Sequence, residues 1–244
     1  MTVAAPFAHC EKQFFARLAP LGFSPTCVVD IGGSNASWST AISEVFPNAC
    51  FELFEPLAGR RSDYDHVLEW ALRTHPNFRL HEVALGTTNG TAEFWSEEQG
   101  VGSSLLTKNA PQSQVVVVPI RRLDDYRAEQ GIPQPQLMKI DVQGGEVLVM
   151  QGGTRTVEYA DILHIETWLG RGYGSQTPLL PEVMEFLRPL GHILVQLGEY
   201  WRKPDQELFV VDAFFAHRRF IDRLRIAGHE FPWPQNWTPE KELA

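Results

Sequence analysis

Hydrophobic and polar positions divide the chain into two alternating kinds of segment. The first kind is short, rich in β-branched or aromatic residues, and bounded by Pro, Gly or Asn, which is typical of strands. Six such segments are found, at residues 27–32, 49–56, 78–86, 136–142, 161–167 and 191–198. Longer segments compatible with helices lie between them, at residues 37–46, 62–74, 146–151 and 181–190. This alternation predicts an α/β fold in which helices cover both faces of a mostly parallel sheet.

Two regions interrupt the alternation. After Gly86 the chain carries an Asn89-Gly90 turn signal and an alternating segment, and another apolar run begins at Val115. These features predict a small β insertion after the third main strand. Near the end, the apolar run that begins at Glu207 follows segment 191–198 too closely for a crossover helix, so we expect an antiparallel closing pair of strands.

The length of 244 residues suits a single domain with a sizeable core. Within one domain spanning residues 1–244, we assign residues 1–26 to an N-terminal helical segment and residues 27–217 to the Rossmann-like sheet core. Residues 218–244 are expected to form a C-terminal helix and a tail rich in Pro and Trp.

Composition narrows the function classes. The formal net charge of −9 disfavours attraction to nucleic acid backbones or anionic membranes. Three widely spaced cysteines, with neither a secretory leader pattern nor a membrane-spanning apolar run, indicate a reducing, cytoplasmic setting. The chain has no Cys-x-x-Cys pair and no dense histidine cluster, so the sequence predicts no metal site.

A glycine turn follows the first predicted strand, which ends on Asp30 and leads into Gly32, Gly33 and Ser34. In doubly wound sheets a ligand lies beyond the carboxyl ends of the strands, where such a turn lets the backbone approach it. An ordinary strand-to-helix turn is the alternative interpretation. Glu55 at the end of the next strand favours a ligand, because a carboxylate there can accept hydrogen bonds from ribose hydroxyls. Asp30 and Glu55 together predict an adenosine-containing ligand.

The turn does not match the dinucleotide pattern Gly-x-Gly-x-x-Gly, because residues 32–37 read GGSNAS. A nicotinamide-dependent oxidoreductase is therefore a less favoured hypothesis. S-adenosylmethionine has no pyrophosphate and needs a small turn beside its methionine part and an acid for its ribose. The sequence supplies both.

Six ordered motifs between about residues 27 and 167 carry a family resemblance: VVDIGGSNASWS, LFEP, EVALGTTNGTAEF, IRRLDDY, MKIDVQGGEVLVMQGG and HIET. In this order they resemble the FkbM-type S-adenosylmethionine-dependent methyltransferases. The resemblance implies the class I methyltransferase fold, with a seven-stranded, mostly parallel sheet and an antiparallel last strand. It also implies methyl transfer to a hydroxyl of a small sugar-containing or natural-product acceptor. We expect no nucleic acid or membrane partner, and a homo-oligomer is compatible with the sequence.

The resemblance places cofactor-binding residues at the strand ends, namely Asp30, Gly32, Gly33, Ser34, Glu55, Glu82, Val83, Ala84 and Asp141. The first four would surround the methionine part, Glu55 would hold the ribose, and residues 82–84 would lie near the adenine. The chain departs from the usual family motifs at three positions. Ser34 stands where Asn is usual, Ala36 replaces a Gly, and Gln143 replaces a Glu.

Methyl transfer is an in-line displacement that requires an aligned acceptor oxygen and removal of its proton. By period two, Lys139 and Asp141 share one face of a strand, as His164 and Glu166 share one face of the next. We name Asp141, His164 and Glu166 as candidates for the base or for acceptor positioning, without ranking them. A structural role at the strand end is the alternative for Asp141. These groups are also able to hold a divalent cation, but no dense motif favours it.

The sequence thus leads to one favoured hypothesis, an S-adenosylmethionine-dependent O-methyltransferase. A catalytically silent cofactor-binding or scaffold protein is the alternative, prompted by Ser34, Ala36 and Gln143. The loop at residues 167–178 is either a substrate lid or an ordinary solvent loop, and the sequence leaves both open.

Overall fold

The computed structural model describes residues 9–60, 62–96, 102–106 and 114–233. Over these residues the chain forms ten strands: β1 (Cys27–Ile31), β2 (Cys50–Phe54), β3 (Phe78–His81), β4 (Ala84–Leu85), β5 (Gly90–Ser96), β6 (Gln114–Arg121), β7 (Leu137–Ile140), β8 (Ile162–Trp168), β9 (His192–Arg202) and β10 (Leu208–His217). Eight α-helices accompany them in the same residues: α1 (His9–Leu18), α2 (Ser37–Ser43), α3 (Ser62–Thr74), α4 (Leu123–Gln130), α5 (Glu146–Gly152), α6 (Thr154–Tyr159), α7 (Leu180–Leu187) and α8 (Arg218–Ile226).

Seven of the strands form the main sheet, in the order β3-β2-β1-β7-β8-β10-β9. The neighbours from β3 to β8 pair in parallel, whereas β10 is antiparallel to both β8 and β9. The last strand therefore inserts between its two neighbours with reversed direction. This arrangement confirms the predicted class I methyltransferase fold.

The predicted third strand, residues 78–86, is divided in the structure. β3 ends at His81, and the short β4 pairs with β6 in a separate three-stranded sheet of order β4-β6-β5. A tight turn separates them, in which the Val83 amide donates to the His81 carbonyl at 2.9 Å. The β insertion is confirmed, and it begins within the segment that the pattern assigns to one strand.

Two apolar layers cover the faces of the main sheet, and period two along each strand decides which residues enter which layer. On one face, helices α1, α2, α3 and α8 contribute Phe15, Trp38, Leu68 and Phe220. On the other face, helices α4 to α7 pack over the alternate strand positions. Phe214 and Phe215 of β10 enter opposite layers. The same alternation places Asp30, Lys139, His164 and Asp212 on the α1 and α2 side.

The ends of the chain agree with the expected helices where they are described. α1 occupies part of the predicted N-terminal helical segment and α8 opens the predicted C-terminal region. Residues 1–8 and 234–244, which include most of the predicted Pro-Trp tail, lie outside the described residues. The domain boundaries stay predictions. No helix in the described part of the chain combines the length and apolarity needed to cross a bilayer.

Candidate active site

A cavity of about 910 Å³ opens at the carboxyl ends of the central strands. Its size is at the upper end of the range of small-molecule sites, which is enough for a cofactor and a small acceptor. Aromatic side chains make much of its wall: Trp38, Phe54, Phe94, Trp168, Tyr173, Trp201 and Phe209. The position matches the place where open α/β sheets bind ligands.

The glycine turn forms one side of this cavity. The Gly32 and Gly33 amides both donate to the Phe54 carbonyl at 3.0 Å, so the turn is fastened across the end of β2. A Cβ at Gly32 would lie 1.8 Å from the backbone oxygen of Asp141, and the Gly32 φ is +82°. Only glycine satisfies both conditions. The turn thus needs Gly32 for its own close packing on the end of β7.

Two departures from the family turn are backbone positions with positive φ. Ser34 has φ 48° and Ala36 has φ 63°, a region that side chains other than glycine adopt at a cost of about 1 kcal/mol. Ala36 is also fully buried. The turn therefore keeps its left-handed shape although Ala36 stands where the family has glycine.

Glu55 is held at the cavity edge by two backbone amides. Its Oε2 accepts from the Ser34 amide and its Oε1 from the Leu57 amide, both at 2.9 Å. These two hydrogen bonds fix the orientation of the Glu55 carboxylate at the end of β2. Beside it, Val83, Ala84 and other apolar residues line the cavity, whereas Glu82 is exposed and is not among the lining residues.

Strand register places three ionisable residues side by side across the sheet. Asp30 is the register partner of Lys139, and Lys139 is that of His164. Asp30 is fully buried beneath the cavity, where its Oδ2 accepts from the Ser39 hydroxyl at 2.6 Å. Burial raises the pKa of Asp30 despite the opposing effects of Lys139 and Ser39. Asp30 therefore supports Lys139 and α2 from below and is not among the lining residues.

Asp141 lines the cavity with both carboxylate oxygens engaged. Lys139 Nζ lies 2.9 Å from its Oδ2, and the Gln143 amide nitrogen donates to its Oδ1 at 2.9 Å. Burial acts to raise the pKa of Asp141, but the charge of Lys139 and these hydrogen bonds outweigh it and leave the pKa below the ordinary value. Asp141 is thus a stably ionised group, which makes it a poor proton acceptor.

Gln143 connects Asp141 to the second cavity acid. Its Nε2 also donates to Glu166 Oε2 at 2.9 Å, and its Oε1 accepts from the Tyr173 hydroxyl at 2.8 Å. Ser104 donates to the Gln143 backbone carbonyl at 2.7 Å. A glutamate at this position would have no N–H to donate to either acid. The substitution of the family's Glu therefore has a structural consequence, which is a bridge between two carboxylates.

Glu166 and His164 share one face of β8 but differ in access to the cavity. Glu166 lines the cavity, and burial, followed by the charges of Asp141 and Glu146, raises its pKa well above the ordinary value. His164 is 1% exposed and is not among the lining residues. Its ring stacks on Phe214 with 4.6 Å between centroids, and Trp38 lies 5.8 Å away. The structure therefore brings Asp141 and Glu166 together and places His164 behind them.

Comparison with known proteins places this geometry in a family. The Methyltransferase FkbM domain matches residues 30–194, about two thirds of the chain. The chain belongs to the FkbM methyltransferase domain family. The predicted class, an S-adenosylmethionine-dependent methyltransferase, is confirmed at the level of the family.

Two relatives illustrate the range of this similarity. The 2-O-methyltransferase NoeI of Sinorhizobium fredii (strain NBRC 101917 / NGR234) is 27% identical over 170 residues, which cover 62% of this chain and 67% of that protein. The crystal structure of methyltransferase FkbM from Methylobacillus flagellatus KT shares the fold, with a TM-score of 0.52 and 18% identity. That match covers 85% of this chain and 48% of the other, so this chain spans about half the length of that protein.

The residues of this FkbM domain fit S-adenosylmethionine. Glu55 would accept from the ribose hydroxyls, Phe54 and Val83 offer apolar surface for the adenine, and the turn at Gly32 to Ser34 leaves space for the methionine part. The role of each residue toward the cofactor stays a prediction.

Two further residues of the site escaped sequence reasoning. Glu11 of α1 and Asp212 of β10 line the cavity, although neither belongs to a recognisable motif. Glu146 is the first residue of α5, and its Oε1 accepts from the Val142 and Gly144 amides at 3.2 and 2.9 Å. Burial raises the pKa of Glu146 to about 7. Period two along β10 is the signal that could have placed Asp212 on the same face as Phe214. No sequence signal pointed to Glu11.

The loop after β8 is held against the domain by contacts of Tyr173 and Arg171. Tyr173 is 3% exposed, and its ring packs against Trp168 in the cavity wall. Arg171 lies outside the cavity, where its Nη2 pairs with Glu182 Oε1 at 2.6 Å. Tyr173 of the loop and Trp168 at the end of β8 therefore both form part of the cavity wall.

Proposed function

We propose that this FkbM domain transfers a methyl group from S-adenosylmethionine to a hydroxyl oxygen of a small sugar-containing or natural-product acceptor. The observation that carries the proposal is the pairing of Asp141 and Glu166 through Gln143 inside a cavity with aromatic walls. In this arrangement Asp141 provides a fixed negative charge, and the Glu166 carboxylate faces the space proposed for the acceptor. The similarity to NoeI, whose name is that of a 2-O-methyltransferase, supports oxygen as the acceptor atom.

Bound S-adenosylmethionine supplies an electrophilic methyl group. Gln143 fixes the Glu166 carboxylate through Oε2, which leaves Oε1 to take the proton of the acceptor hydroxyl. Asp141, held ionised by Lys139, contributes a negative charge beside the positively charged donor. The aromatic walls exclude water and align the acceptor for in-line attack.

The residues of the cavity wall also favour a small molecule as the acceptor. Trp168, Trp201 and Phe209 offer flat apolar faces of the kind on which sugar rings pack. The net charge of −9 opposes binding of nucleic acid phosphates, which favours a small molecule as the partner.

The test is an acceptor panel of sugars and hydroxylated natural products, incubated with the full-length protein and S-adenosylmethionine and analysed by mass spectrometry and NMR. We expect a product with one O-methyl group. Glu166→Gln should retain S-adenosylhomocysteine binding and lower turnover by about 100-fold or more, because the proton acceptor is lost. Glu207→Gln, at an exposed position, is the matched control.

Two results would count against the proposal. Methylation on nitrogen or carbon would show that the acceptor atom is not a hydroxyl oxygen. Unchanged turnover in Glu166→Gln would show that Glu166 is not the base. Cofactor binding without any methylated product across the panel would favour the catalytically silent alternative.

A further inference from the structure

Three polar side chains from separate elements converge at the floor of the cavity. Glu11 comes from α1, His164 from β8 and Asp212 from β10, and one ligating atom of each lies within 4.8 Å of the others. His164 Nε2 is 3.5 Å from Asp212 Oδ1. Glu11 and Asp212 line the cavity, so this cluster borders the space in which the acceptor would lie.

Glu11 and His164 are buried and carry polar atoms that are unsatisfied within the described residues, whereas Asp212 is partly exposed. Glu11 is 5% exposed and His164 is 1% exposed. Glu11 Oε2 and both ring nitrogens of His164 have no hydrogen-bond partner there. Phe214 and Trp38 contact the ring of His164, so polar contacts must come from its edge. An unsatisfied buried polar group costs about 1–3 kcal/mol, and a ligand that engages all three residues would remove that cost.

We propose that Glu11, His164 and Asp212 bind a divalent transition-metal cation in the floor of the cavity. One imidazole and two carboxylates form a mixed nitrogen and oxygen set, which suits first-row ions such as Mn²⁺ and Zn²⁺. Ligand atoms around one such ion are about 3–4 Å apart, so a small rotation of the Glu11 side chain closes the cluster.

Local charge is compatible with a cation at this position. Lys139 is the nearby basic group on the same face, and its Nζ lies 2.9 Å from Asp141 Oδ2 and 4.0 Å from Asp30 Oδ1. These two acids compensate the lysine charge, while Glu11 and Asp212 supply negative charge for the ion. Sequence spacing was unable to reveal the set because its members lie 48 to 201 positions apart, on α1, β8 and β10, and share no motif.

A role for the ion in methyl transfer rests on the proposed function. Asp212 is the register partner of Glu166, so an ion bound to Asp212 would lie next to the base. Its remaining coordination positions would take two neighbouring oxygens of the acceptor, as in a sugar diol, and orient one of them toward Glu166. The substrate class that follows is a small molecule with vicinal oxygens.

The experiment is a Mn²⁺ titration of chelator-treated full-length protein, in which electron paramagnetic resonance measures the free ion. We expect one tightly bound Mn²⁺ per chain, displaced by Zn²⁺. Glu11→Gln and Asp212→Asn keep the side-chain shapes and should weaken binding at least tenfold. Asp205→Asn removes an exposed acid and should leave binding unchanged.

Wild-type protein that binds neither Mn²⁺ nor Zn²⁺, or binding that persists in both variants, would overturn the inference. Circular dichroism of each variant identifies loss of fold, and the wild-type titration decides the inference without any variant. S-adenosylhomocysteine calorimetry on the same samples separates the two proposals. Cofactor binding without metal overturns only the cation site, whereas metal binding without cofactor overturns only the proposed function.

Discussion

Gln143 shows how one residue decides the charge balance of the site. The amide gives two N–H groups to Asp141 and Glu166, and its oxygen accepts from Tyr173. An amide is the side chain that can donate to both acids while accepting from a hydroxyl. The Glu that is usual in the family motif could not make these three hydrogen bonds, whereas Gln143 makes all of them.

Replacing this amide by an acid tests the bridge. Gln143→Glu would bring a third carboxylate against Asp141 and Glu166 and remove both donated hydrogen bonds. We expect the free energy of unfolding at neutral pH to fall by about 1–3 kcal/mol. Urea unfolding measures the change, with Gln151→Glu on the exposed surface of α5 as the control. Equal effects of the two substitutions would show that the bridge contributes nothing.

Glu146 makes a pH-dependent contribution to stability. Its pKa is raised by burial from the ordinary 4.5 to about 7, so the folded state binds more protons than the unfolded chain between these values. Stability linked to this group is present below pH 4.5 and is lost as the pH rises through 7. From pH 5 to pH 8 the wild type should lose about 3 kcal/mol more than Glu146→Gln, measured by urea unfolding. Parallel pH profiles for the two proteins would contradict this assignment.

Among the connections between elements, the turn between β1 and α2 is tightly constrained. Gly131, directly after α4, serves as the reference because it has φ 65° and open space around it. Gly131→Ala should therefore cost about 1 kcal/mol of unfolding free energy through backbone strain alone. Gly32→Ala adds an overlap with the Asp141 backbone and should cost about 3 kcal/mol or more. Thermal and urea unfolding compare the two variants. Similar losses of unfolding free energy in the two variants would mean that the turn can move away from β7 at no energetic cost.

Apart from the short helices α4 and α6, which were not predicted, the strands and helices of the main sheet follow from local pattern because period two and short crossovers are sequence properties. The division of segment 78–86 does not, since the pairing of β4 with β6 depends on residues more than 30 positions away. For the same reason the sequence predicted Asp141 and Glu166 but not their bridge. The positions of Gln143, Tyr173 and Ser104 are set by three separate loops.

In the molecule as a whole, the family motifs account for the half of the site that we propose receives the cofactor. They lie on β1, β2 and β4 to β8 with the adjoining turns, and the match to the FkbM domain covers nearly all of them. The opposite half is formed by α1, the loop after β8 and the antiparallel β10, which lie mainly outside the motifs. Glu11 precedes the matched region and Asp212 follows it. We propose that acceptor choice depends on this second half, which local sequence patterns do not describe.

A calorimetric titration of the full-length protein decides whether the cavity receives S-adenosylmethionine. S-adenosylhomocysteine should bind one per chain with a dissociation constant on the order of micromolar, while NAD should give no binding heat because the turn lacks the dinucleotide pattern. Glu55→Gln should weaken S-adenosylhomocysteine binding about tenfold or more, since the carboxylate for the ribose is lost. Absence of S-adenosylhomocysteine binding, or tighter binding of NAD, would contradict the account.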